Sequence, residues 1–76
     1  MNLEELKELI AEQLNVEAST LTENTNFTED LGADSLDLFE IAMAMEEKFD
    51  IEIPSEDLQD IKTIGDAAKY IETKLA

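Results

Sequence analysis

The chain has 76 residues, 43% of them apolar and only 5% aromatic, and twenty acids against five lysines and no arginine leave a formal charge of −15. That length is one small domain, without room for a second core or a catalytic lobe, and that charge excludes nucleic acid and anionic membrane as ordinary partners, since both are polyanions. With neither histidine nor cysteine, the chain has no disulfide framework, no thiolate metal site and no side chain suited to activating a nucleophile at neutral pH.

An apolar fraction built from Leu, Ile, Ala and Met suits a small helical bundle. Acidic, aromatic-poor chains are also prone to disorder, but the regular apolar spacing along this one argues for a fold. Met1 leads straight into the acidic run Asn2-Leu3-Glu4-Glu5 rather than into a basic and then apolar leader, so a cytoplasmic location, or an organelle interior after processing, is the expectation.

Asn2 with Glu5 three residues on resembles a capping box. Leu3, Leu6, Ile10 and Leu14 recur at three- and four-residue steps, with Leu9 alongside, and predict an amphipathic helix over 3–14 that ends at Asn15. A long connection without regular structure follows to Ala33, with Val16, Leu21, Phe27 and Leu31 spaced to pin it over a core and Gly32 allowing a turn that other residues resist. Asp34 then reads as an N-cap and Asp37 as a second first-turn carboxylate, favoured by the helix dipole. The helix that begins there runs over 35–49.

This second helix carries more apolar surface than one core stripe needs. Ile41, Ala42, Met45 and Phe49 form one stripe, expected to face the core. Leu36, Phe39 and Met43 form another at i, i+3, i+7, expected to be exposed beside Asp34, Asp37, Glu40, Glu46 and Glu47. Ile51-Glu52-Ile53-Pro54 is a short extended link. Ser55 is expected to cap a short helix over 56–61 with Leu58 and Ile61 inward. Thr63 with Asp66 caps the last helix, whose core face is Ile64, Ala67, Ala68, Ile71 and Leu75. One domain spanning 1–76 results: an all-α bundle of three longer helices and one short one, with a long first loop.

Charge is not evenly spread. Between Glu29 and Asp60 there are twelve acids against Lys48 alone, a net of −11 of the chain's −15. At the head of that segment stands Ser35, in Gly32-Ala33-Asp34-Ser35-Leu36-Asp37. Its hydroxyl is a nucleophile at a helix N-terminus, where free backbone N–H groups and the dipole also favour a phosphate. With no base in the chain, the hydroxyl reads as a group that another enzyme modifies and not as a catalyst.

The run Phe27-Thr28-Glu29-Asp30-Leu31-Gly32-Ala33-Asp34-Ser35-Leu36-Asp37 resembles the loop and attachment motif of acyl carrier proteins nearly position by position. Glu40, Met43-Ala44-Met45-Glu46-Glu47-Lys48-Phe49, Ile51-Glu52-Ile53-Pro54, Thr63-Ile64-Gly65-Asp66-Ala67-Ala68 and Tyr70-Ile71 continue the likeness in order along the whole chain. The resemblance implies a non-catalytic carrier, a monomer, in which a phosphopantetheinyl transferase joins 4′-phosphopantetheine from coenzyme A to Ser35. The thiol of that arm would hold acyl groups as thioesters for fatty-acid biosynthesis. Asp34 resembles the residue beside the attachment site that contacts the transferase or its metal, alongside its role as a cap. Leu36, Asp37, Phe39, Glu40, Met43, Glu46 and Glu47 correspond to the face that docks on basic patches of fatty-acid synthase enzymes and acyltransferases. Charge would speed encounter and the apolar strip would add contact area. Ala42, Ala44, Ala67 and Ala68, with Met43 and Met45, are expected to part and shelter the acyl chain.

The sequence departs from the usual family pattern at Leu38, where a small polar residue is common, and at Phe39, where a smaller aliphatic is. A carrier of the same superfamily dedicated to polyketides, peptides or D-alanine is the nearest rival. A calcium module fails on the spacing of Asp30, Asp34 and Asp37, which is not the alternating EF-hand pattern, so no metal site is expected. A hydrolase using Ser35 lacks both base and pocket.

Overall fold

The computed structural model describes residues 2–75. Four helices fold in chain order: α1 Leu3–Leu14, α2 Ser35–Phe49, α3 Ser55–Leu58 and α4 Ile64–Leu75, with one 3-10 turn, Ala18–Thr20, inside the first loop. Helix α1 packs along α2 and also meets the 3-10 turn and α4, while α3 lies against α2. Among the described residues the only strand-like pairing is one isolated antiparallel bridge, Asn26 to Thr63.

The helix ends are closed by local chemistry. Asn2 Oδ1 accepts from Glu4 N–H at 2.9 Å, one residue earlier than the Asn2/Glu5 pairing read from the sequence. Asn15 and Asp50 end α1 and α2 in the left-handed region, at φ 58° and 55°, a conformation that a short polar side chain tolerates better than a branched one. At α4, Asp66 Oδ2 accepts from the N–H groups of Lys62 and Thr63 and Thr63 Oγ1 accepts from Asp66 N–H, at 3.1–3.2 Å. The Lys62 N–H foremost, then those of Thr63, holds the Asp66 carboxyl below its ordinary pKa.

Leu6, Ile10, Ile41, Met45, Ile64, Ile71 and Phe27 are the large side chains sealed in the core. Six of them lie on the three periodic helix faces. The seventh, Phe27, comes from the loop. Leu21 is buried with it, Leu31 packs at the edge, and Val16 is exposed instead of pinning the loop. Leu75, one turn past Ile71, is 48% exposed because α4 outruns the bundle there.

The loop is held by backbone bonds to the start of α4. Gly65 N–H donates to Glu23 C=O at 2.8 Å, Ile64 N–H to Thr25 C=O at 3.0 Å, and Phe27 N–H to Lys62 C=O at 3.0 Å. A Cβ on Gly65 would stand 2.9 Å from the Glu23 carbonyl oxygen, so this close approach admits glycine only. Within the loop, Asn26 Oδ1 accepts from Thr28 N–H, Thr28 Oγ1 and Glu29 N–H, while Asn26 N–H donates to Asp30 Oδ2. Ala33 N–H returns to Phe27 C=O at 2.9 Å. Gly32, at φ 66° with open space around it, makes the bend that carries the chain into α2.

Helix α3 is shorter and earlier than the segment 56–61 read from the sequence. It begins at Ser55, whose side chain makes no cap bond; the Pro54 C=O accepts from Asp57 and Leu58 N–H groups at 2.9 and 3.2 Å. Two side chains tie this region down. Glu46 Oε2 accepts from Ile53 N–H at 2.8 Å, and Tyr70 Oη donates to Asp57 Oδ2 at 2.6 Å.

The two glycines respond differently to substitution. At Gly65 any side chain meets backbone, so Gly65→Ala lowers stability by about 1–3 kcal/mol and Gly65→Asn by at least as much, although both are better helix formers. At Gly32 only the positive φ is costly, so Gly32→Ala loses about 1–2 kcal/mol and Gly32→Asn recovers most of it. Denaturant unfolding of the four variants separates these outcomes.

Burial, then the hydrogen bond to Asp57 and its charge, raises the Tyr70 hydroxyl from 10.0 to about 12. Below pH 10 the neutral phenol is favoured in both states and its stabilising contribution is complete. That contribution is lost as pH climbs from 10 toward 12, where only the unfolded chain ionises readily. Tyr70→Phe is therefore less stable by about 1 kcal/mol at neutral pH, and the gap narrows across that alkaline window in pH-dependent urea titrations.

Candidate functional site

Asp34 and Asp37 build the entrance to α2 reciprocally. Asp37 N–H donates to Asp34 Oδ1 at 2.9 Å and Asp34 N–H donates to Asp37 Oδ2 at 3.2 Å, a complete capping box. The box fixes the first turn and leaves Ser35 at its outermost position, exposed. Among the described residues no side chain hydrogen-bonds the Ser35 hydroxyl, and the carboxylates on either side are spent on backbone N–H groups. The N–H groups of Ser35 and Leu36, at the first two helical positions, lack intrahelical partners by geometry and face outward with the positive end of the dipole. An exposed hydroxyl beside free N–H donors suits a phosphodiester, with the two carboxylates partly offsetting that field.

Helix α2 presents three faces. Ile41, Ala42 and Met45 are buried and Phe49 half-buried, as the core stripe requires. On the opposite side Leu36, Phe39 and Met43 are 66%, 53% and 57% exposed, three of the most exposed large apolar side chains in the molecule. Glu40 and Glu47 are exposed on the same side, four and eleven residues beyond Leu36. Glu46 is different: it is half-buried and its carboxylate holds the Ile53 N–H, so it anchors the link to α3. The sequence does not distinguish it from Glu47, because both are acids on one helix and only the path of the link separates them.

The third face of α2 looks toward α3. There an apolar hollow of about 230 Å³ is lined by Ser35, Leu38, Phe39, Ser55, Leu58 and Gln59. It is not where the alanines and methionines led us to expect a shelter. Ala42, Ala67 and Met45 are closed into the core, Met43 is exposed, and Ala44 lines a larger hollow on the α1 side, about 520 Å³, walled by Glu5, Glu8, Glu12 and Glu47. Those carboxylates suit water and counterions, not an alkyl chain.

Acidic groups do not converge here as metal ligands. Asp30 is bound to Asn26 N–H and Asp34 and Asp37 to each other's backbone, and no cluster of three or more potential ligands occurs among the described residues. Among those residues one ion pair is formed, Lys7 to Glu4 at 3.8 Å. No helix among them is long and apolar enough to cross a membrane.

Comparison with known proteins matches residues 4–71 to the family described as "Phosphopantetheine attachment site". The chain is 54% identical over 70 residues to the acyl carrier protein of Wolinella succinogenes, covering 92% of each. It is 55% identical over 69 residues to that of a Sulfurovum species, covering 91% of this chain and 92% of the relative. Its fold superposes on the solved acyl carrier protein from Enterococcus faecalis with a TM-score of 0.80 at 33% identity, covering 95% and 91% of the two chains.

With a net charge of −15 over the chain and one ion pair among the described residues, repulsion among the acids opposes folding, and screening relieves it. The melting temperature rises between low and physiological ionic strength; a gain of about 1 kcal/mol corresponds to about 4–8 °C in a domain of this size. Calorimetry across a sodium chloride series measures it.

Proposed function

The chain belongs to the acyl carrier proteins, and we propose that Ser35 bears the phosphopantetheine arm of this one. The observation that carries the reading is the exposed Ser35 hydroxyl at the first position of α2, in a chain with no histidine or cysteine to make it a catalyst. The arm brings the one chemistry the chain lacks, a thiol that holds acyl groups as thioesters. Ser35 Oγ gives its proton to the transferase and bonds to phosphorus, releasing the nucleotide portion of coenzyme A. Asp34 serves twice: it caps α2 and sets a carboxylate beside the transferase and its metal.

Docking falls to the outward face of α2. Leu36, Phe39 and Met43 provide apolar contact area, and Asp37, Glu40 and Glu47 the negative charge that steers a basic surface toward Ser35. Glu46 supports that face through its hold on Ile53 and adds charge at its edge. The partners are phosphopantetheinyl transferase and the enzymes of fatty-acid biosynthesis, which the monomeric carrier meets in the cytoplasm. The name acyl carrier protein borne by the relatives supports the carrier role, and the resemblance of the Gly32–Asp37 motif supports the fatty-acid type.

Incubation with coenzyme A and a broad-specificity transferase adds one phosphopantetheine to the wild-type chain by intact mass. Ser35→Ala stays at its unmodified mass while keeping a helical spectrum; an increment that persists in Ser35→Ala assigns the arm elsewhere.

A further inference from the structure

Helix α2 carries two methionines, two positions apart, in opposite surroundings. Met45 is 1% exposed and belongs to the core, whereas Met43 is 57% exposed on the outward face. Within a helix the backbone is covered by its own turns, so exposure of that size belongs to the flexible thioether arm. The chain has no cysteine and no tryptophan, and its single tyrosine is half-buried with its hydroxyl bound to Asp57. Among the described residues the Met43 sulfur is therefore the group most open to a two-electron oxidant.

We propose that Met43 is a reversible oxidation site for a peroxide and that its oxidation weakens docking on the outward face of α2, a reading that rests on that face being the partner surface. The thioether sulfur bonds to one peroxide oxygen as the O–O bond breaks. Sulfur loses two electrons, hydrogen peroxide gains them, and water leaves. A dithiol acting through a methionine sulfoxide reductase reverses the change: the sulfoxide oxygen departs as water and the dithiol becomes a disulfide.

The modification acts on the surface and leaves the fold alone. Phe39 and Met43 are i, i+4 neighbours, with Leu36 one turn before them, so a sulfoxide sets a strong polar acceptor inside the apolar strip. In the free protein that oxygen faces water. A partner that covers the strip has to strip the oxygen of water, which lowers affinity. At Met45 the same oxygen would be buried in an apolar core, and peroxide reaches that sulfur only when the domain opens. The two-residue offset thus separates a surface switch from a lesion of the core.

The apo chain is treated with limiting hydrogen peroxide, desalted, and then loaded from coenzyme A by a phosphopantetheinyl transferase. Peptide mapping, which resolves Met1, Met43 and Met45, finds the sulfoxide at Met43, while Met45 follows only in urea. The helical spectrum and melting temperature stay as they were, and KM for the chain rises about tenfold with kcat little changed. A methionine sulfoxide reductase with dithiothreitol restores both mass and KM. Met43→Leu, whatever its own starting KM, shows no further change on peroxide treatment. Oxidation of Met45 in the folded chain as fast as that of Met43 overturns the site, and a Met43 sulfoxide that loads with unchanged KM overturns the switch. Met43→Asn shows which premise has failed: if it raises KM where the sulfoxide does not, docking on this face stands and the switch falls; if neither raises KM, the docking reading falls with it.

Discussion

The seam between residues 23–27 and the first turn of α4 is the constraint on which the rest of the molecule depends. A loop of this length cannot be ordered by its own side chains at acceptable entropic cost. Three backbone bonds to Lys62, Ile64 and Gly65 order it, and the last of them needs a glycine, because a Cβ at position 65 would stand 2.9 Å from the Glu23 carbonyl oxygen. Once docked, the loop delivers Phe27 to the core. Its carbonyl then receives Ala33 N–H, which fixes where Gly32 turns and where Asp34 begins α2. Ser35 is thus positioned by contacts far from it in sequence, and α2 contributes the exposure.

What could be read from the chain, and what could not, divides along the same line. Helices α1 and α2 begin and end where periodicity and capping residues placed them, and α4 starts at the Thr63/Asp66 cap. These are local signals, decided within one or two turns. Periodicity overreaches at Leu75, because a helix continues its pattern after its neighbours have ended. It says nothing useful about Val16, which belongs to no helix. Gly65 stood out in the sequence only as part of the run Thr63-Ile64-Gly65-Asp66, since a close approach between distant backbones leaves no periodic trace. Helix α3 was displaced because Ser55 looks like a cap, while the carbonyl of Pro54 does the work.

The site follows the same division. Asp34, Asp37 and Ser35 form a contiguous motif, and the structure brings them together as a capping box and an exposed hydroxyl. The two stripes of α2 were separable from spacing alone, because 100° per residue sets Leu36, Phe39 and Met43 opposite Met45. The shelter was not separable. Small residues suggest room, but Ala42 and Ala67 are small because helices pack closely over them. The hollows instead occur where α3, a single turn, fails to cover the flank of α2.

That failure gives one helix three separate duties. Its inner face supplies Ile41, Ala42 and Met45 to a core too small to spare them. Its outer face remains unpaired, so its apolar residues must sit among Glu40 and Glu47 if the protein is to remain soluble. Its third face, with Leu38, borders the short helix. Adjacent positions therefore meet different surroundings: Leu38 is half-buried and lines the hollow, whereas Phe39 lines it too but is 53% exposed. Ser35 lies where the outer face and the cleft meet, so that a group attached there reaches solvent or the apolar hollow from the same anchor.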